Sequence, residues 1–134
     1  MSDTKNTPDN EAVVQRYMSV WTIEDDRERR AAVAEIWASD GVEFVHEQHF
    51  EGHSELADRV ARAYDTFFAN GKYVGGYGED LTVHQDILRF TMNLAVPGDG
   101  EPGEIAWVAR VFLLLDDDGK VQQSYHVTLQ ALTA

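Results

Sequence analysis

Cysteine is absent from the 134 residues. That excludes disulfides, thiolate metal sites and a cysteine nucleophile, and it leaves the redox compartment open. Basic residues are scarce: 11 Lys and Arg stand against 24 Asp and Glu, for a formal net charge of −13. Nucleic acids and anionic bilayers select basic faces, so neither is an expected partner. No apolar run has the length of a membrane span or the form of a signal peptide, and a cytoplasmic protein is the default expectation. What is present is a hydrophobic share of 43%, too high for a disordered acidic chain. The length suits a single domain that buries about two-thirds of the surface its unfolded chain exposes.

Apolar spacing divides the chain near Asn70. Before it the period is helical. Residues 1–8 read as a flexible tail ahead of a domain over 9–134. Thr7-Pro8-Asp9 has the form of a helix start, and Val13, Val14, Tyr17 and Trp21 form the first stripe. A second helix is expected through Ala31, Ala34 and Trp37, ending near Asp40-Gly41, followed by a short strand over Val42 to Val45 and a loop over His46 to Glu51. Gly52-His53-Ser54 opens a third helix with Ser54 as cap; Leu56, Val60, Ala63 and Phe67 are on its buried face and Asn70-Gly71 is its stop. After Asn70 the period is that of strands: Tyr73 to Tyr77, Leu81 to His84, Ile87 to Val96, Ile105 to Leu115 and Val121 to Leu132. The turn Asp116-Asp117-Asp118-Gly119 marks a hairpin. Three helices gathered on one side of a curved antiparallel sheet make an α+β cone.

That order, together with Asn6-Thr7-Pro8 and the run Ala12 to Tyr17, resembles the NTF2-like superfamily, in its SnoaL-like and ketosteroid isomerase-like branch. Trp37-Ala38-Ser39-Asp40-Gly41, Gly52 before the third helix and Gly119-Lys120-Val121 at the last hairpin carry the rest of the resemblance. It implies a cystatin-like cone around a small pocket. Ketosteroid isomerase works with an aspartate base and an oxyanion hole made by a tyrosine and a protonated aspartic acid. The resemblance puts the tyrosine at Tyr17, the base at Val45 and the second acid at Val111. A valine neither accepts nor donates a proton, so steroid isomerisation by that mechanism is not expected.

Strand alternation then sets the rest of the expected lining. If Val111 faces in, so does Leu113; Phe90, Met92 and Leu94 face in from the preceding strand, and His126 and Thr128, with Ser124 as a further candidate, from the last. Trp21, one turn from Tyr17, is expected on the pocket floor. Such a mostly apolar pocket with a few polar groups suits a small apolar or polycyclic ligand. Tyr17 and His126 are the candidate catalytic pair, because imidazole titrates near neutral pH beside a phenol that can donate to an oxygen. The alternative is that the two satisfy each other in a semi-buried core. His46, next to Val45, is a second-rank candidate base. No metal is expected: His46-Glu47-Gln48-His49 is not the H-E-x-x-H helix pattern, and the acidic turn lacks the twelfth-position glutamate of a calcium loop. No cofactor is expected. Arg89, Thr91, Asn93 and Arg110 alternate with the inward residues and are expected on the outer face, where a homodimer contact is expected. Two functions remain open: acid–base isomerisation or cyclisation of an oxygen-bearing ligand, and a non-catalytic binding or dimerisation module.

Overall fold

The structure is a computed structural model that describes residues 10–98 and 102–132. The expected tail and the Thr7-Pro8-Asp9 helix start lie outside the described residues. The first helix, α1 (Asn10–Val20), buries Val13, Val14, Tyr17 and Val20. Next, α2 (Asp26–Ile36) is capped by Asp25, whose carboxylate accepts the Glu28 amide at 2.9 Å. Both helices present their apolar stripe to one core.

The second helix stops four residues before its expected end. The Trp37 amide closes the last turn onto the Val33 carbonyl while Trp37 itself is extended. From there β1 (Trp37–Val45) begins, with Trp37 opposite Val121 in the sheet. Sheet pairing here overrides a helical spacing that taken alone continues to Asp40. A register shift follows before Val42, and Gly41 sits in it: a Cβ there would meet the Ala38 and Val121 carbonyl oxygens at 3.0 Å. The expected loop after β1 is instead a tight turn and a strand, β2 (Gln48–Glu51), antiparallel to β1. Then α3 (Gly52–Ala63) starts without a side-chain cap from Ser54, which lies inside the helix; Glu55 accepts the Glu51 amide at 2.9 Å. A single π turn (Tyr64–Phe68) extends α3, and left-handed Asn70 and Gly71 end it.

The remaining strands are β3 (Val74–Tyr77), β4 (Thr82–His84), β5 (Ile87–Pro97), β6 (Pro102–Leu115) and β7 (Val121–Gln130). The sheet runs β2-β1-β7-β6-β5-β3, with β4 also on β5. It is mixed: β1 and β7 run parallel, and the other pairs are antiparallel. The parallel pair brings residues from the first third of the chain beside the last strand. Inward side chains make one core with the helices, including Tyr17, Trp37, Leu56, Phe90, Val111 and Leu113. Among the described residues no helix is long and apolar enough to cross a membrane.

Candidate functional site

Two adjacent rows of the sheet build the site. One row crosses β1, β7, β6 and β5 as Val45, His126, Val111 and Phe90. The next, on the same face, is Glu43, Ser124, Leu113 and Leu88. His126 therefore lies between Val45 and Val111, the two positions to which the family resemblance assigns acids. A carboxylate is present after all, two residues back along β1: Glu43 is 0% exposed.

Tyr17 of α1 lies against both rows. Its hydroxyl donates to Glu43 Oε1 at 2.9 Å and also contacts His126 Nε2. Ser124 Oγ donates to the same Oε1 at 3.0 Å, and Arg59 Nε of α3 donates to Oε2 at 3.0 Å. His126 Nε2 stands 3.4 Å from Oε1. Aromatic rings seal the group: Trp21, Trp37 and Phe90 pack around the Tyr17 ring with centroids 5.5 to 6.2 Å away. A buried charge persists only when paired and hydrogen-bonded, and Glu43 has both kinds of partner.

Hydrogen counting points to one tautomer. The one Tyr17 hydroxyl proton is needed between two oxygens, its own and that of ionised Glu43. The contact between Tyr17 and His126 then needs a hydrogen from the ring, so Nε2 carries it. Neutral His126 is therefore protonated at Nε2 and has its lone pair on Nδ1. Nδ1 makes no hydrogen bond to a described residue, and His126 lines the cavity.

Electrostatics keeps these charge states. Burial would raise the Glu43 pKa, but it is outweighed by His126, by Arg59 and by the Tyr17 and Ser124 hydrogen bonds, so the carboxyl is held below its ordinary value. His126 is pushed down, chiefly by burial, with Arg59 and His46 adding to it and Glu43 opposing. The Tyr17 phenol is raised well above its usual value by burial and then by Glu43. Near neutral pH the group holds a carboxylate, a phenol and a neutral imidazole.

Above it lies a cavity of about 930 Å³. Of the expected ligand-contacting residues, Trp21, Val45, Met92, Leu94, Thr128 and His126 line it. Phe90, Val111 and Leu113 do not; they face inward but are 0% exposed, covered by Tyr17 and the helices. Tyr17 itself is also 0% exposed, so it reaches the cavity through His126 and is not on its wall. His46, at the β1–β2 turn with a left-handed φ of 55°, lines the cavity. The neighbouring histidines do not join it: His53 Nε2–H of α3 donates to the Trp37 carbonyl at 2.8 Å, and His49 of β2 lies against Phe44. No group of three acidic or histidine side chains among the described residues is placed to hold a metal. The remaining wall includes Met18, Phe67, Phe68, Tyr77 and Trp107.

Sequence reasoning missed Glu43 and Arg59. The signal for Glu43 was available: it shares a strand face with Val45, so alternation turns it inward. Arg59 gave none, because a single arginine on an amphipathic helix looks like any solvated charge.

No family model and no curated protein matches the sequence. Solved structures do match in shape. A SnoaL-like family protein from Agrobacterium tumefaciens superposes with a TM-score of 0.77 at 20% identity, over 88% of this chain and 95% of that one. An NTF2-like protein with a cystatin-like fold from Novosphingobium aromaticivorans gives 0.68 at 17%, over 94% and 83%. A protein of ketosteroid isomerase-like fold from Catenulispora acidiphila, solved with trimethylamine, gives 0.64 at 16%, over 85% and 82%. The fold is the NTF2-like, cystatin-like cone.

Proposed function

We propose that this NTF2-like cone binds a small apolar or polycyclic ligand bearing an oxygen, and moves a proton on it with His126. The observation that carries the reading is a cavity-lining imidazole whose Nε2 contacts Tyr17 and stands 3.4 Å from Glu43, an arrangement that leaves Nδ1 as the free base. Proton abstraction would place the proton on Nδ1 and the electron pair on a ligand carbonyl oxygen; return of the proton to another carbon would give isomerisation. Glu43 at 3.4 Å would stabilise the imidazolium formed. The Trp21 indole N–H is buried without a hydrogen-bond partner among the described residues, in a side chain that lines the cavity. Val45 and Val111 oppose the family's two-aspartate mechanism, so Glu43 and His126 take the place of the missing acids.

The test is a thermal-shift panel of ketosteroids, polyketide mimics and terpenoids, with hits followed by deuterium uptake at the acidic carbon in heavy water. His126→Ala should slow exchange by roughly 10²–10⁴-fold. A bound ligand whose exchange is the same in both proteins would leave a binding module and end the catalytic reading.

We also propose a homodimer through the outer sheet face. Phe44 and Tyr125 stack there at 4.8 Å, and Tyr125 and Val127 are exposed. Light scattering should give twice the chain mass, and Val127→Glu should give the single mass.

A further inference from the structure

The cavity mouth holds two arginines that the proposed proton transfer does not use for chemistry. Arg59 and Arg62 are three residues apart on α3 and so point the same way. They flank Phe50, with guanidinium carbons 5.6 and 5.9 Å from its ring centroid. Arg59 also lies 5.1 Å over Trp21. Together with Gln48 and Phe50, the two arginines line a groove of about 350 Å³. Arg59 and Gln48 line the main cavity as well, so the groove adjoins it at these two side chains.

The donors in this groove are under-used. Arg59 spends only Nε, on Glu43; its Nη1 and Nη2 bond no described residue. Arg62 has no ion pair among the described residues, in a chain whose net charge is −13. Aromatic faces hold both guanidinium groups in place without consuming their N–H donors. An arginine fork matches a carboxylate with two parallel hydrogen bonds.

We propose that the groove between Gln48, Phe50, Arg59 and Arg62 is a carboxylate subsite, and that the ligand is an apolar acid whose body fills the cavity and whose carboxylate lies at its mouth. This rests on the cavity being a ligand site, and names the class of ligand. Apolar contact alone would draw neutral molecules equally; the two guanidinium groups select against them.

The test compares naphthylacetate, its methyl ester and the corresponding naphthylethanol by titration calorimetry. The acid should bind at least about ten-fold more tightly than the ester, as expected for charge-assisted hydrogen bonds. Arg62→Gln should remove most of that preference and Arg62→Lys should restore part of it; Arg62 is exposed, so neither change threatens the core. If ester and alcohol bind as tightly as the acid, the cavity reading stands and the carboxylate subsite is overturned. A preference that survives Arg62→Gln overturns it too. Naphthylmethyl phosphate binding more tightly than the acid would overturn the choice of carboxylate. Failure of all these probes to bind would overturn the subsite together with the cavity reading.

Discussion

The two ends of the cone solve opposite problems. At the closed end a carboxylate, a phenol, a serine hydroxyl and an imidazole are taken out of water, and each of the two Glu43 oxygens accepts at least one hydrogen bond. At the open end Phe67, Phe68, Tyr77 and Trp107 border empty space, and β3, which carries Tyr77, also lines it with Gly75 and Gly76. The closed end is over-determined, with a geometry fixed before any ligand arrives, which suits proton transfer. The open end has no such constraint and is free to take its shape from a ligand. The proposed chemistry and the proposed selectivity thus fall at different ends, joined through His126 and Arg59.

The sharpest break in that contrast is Glu43→Leu. It leaves the Arg59 guanidinium, the Tyr17 hydroxyl and Ser124 without their shared acceptor, and should cost about 3–5 kcal/mol in urea unfolding. A cost under about 1 kcal/mol would mean the network is not buried as described. Tyr17→Phe removes one donor to Oε1 and the acceptor for His126 Nε2 while keeping the ring packing. It should cost about 1–3 kcal/mol, and the double variant with Ser124→Ala should depart from additivity because both donate to one oxygen.

Acid should weaken the closed end. The folded-state pKa of His126 is lowered, chiefly by burial. As pH falls below about 6.5 the unfolded chain takes up a proton that the folded one refuses, so stability declines until the folded-state pKa is passed. The Glu43 pKa is also lowered; its contribution is present above its unfolded value and is lost as pH falls further, through its folded value. Denaturant midpoints across this range should fall with acid, and His126→Gln should flatten the first part of the decline. The smallest effect on stability belongs to the open end: Phe67 is only half-buried, and Phe67→Ala should lower the affinity of an apolar ligand measurably while costing less stability than Tyr17→Phe. Equal losses in stability from Phe67→Ala and Tyr17→Phe would erase the distinction between the two ends.

Much of this was legible in the sequence. The helical stripe from Val13 to Tyr17 and the alternation on β5, β6 and β7 assigned inward and outward faces, because each periodicity records which side is buried. Where the reading failed, long-range pairing was the cause. Trp37 to Asp40 continue a helical spacing, yet belong to β1, with Trp37 opposite Val121 of β7; His46 to Glu51 look polar enough for a loop, yet form half of a hairpin. The depth of a buried residue was equally hidden. Alternation turns Phe90, Val111 and Leu113 inward, but it does not say that a tyrosine from α1 will lie over them and keep them from the cavity. The partnership of Glu43 with Arg59 joins β1 to α3, and no local pattern announces it.

The parallel pairing of β1 with β7 has a consequence for how the molecule is made. Glu43 lies 81 residues before Ser124, and Tyr17 lies 109 before His126. During synthesis the carboxylate leaves the ribosome long before two of its partners exist. Drying the inner face of β1 is unfavourable until β7 arrives, so the N-terminal helices and β1 should stay open and hydrated while the rest is made. Docking of the final strand then becomes the committing step, a closure of large loops that is slow by its contact order. The proposed proton-transfer site would then be completed by the last event of folding.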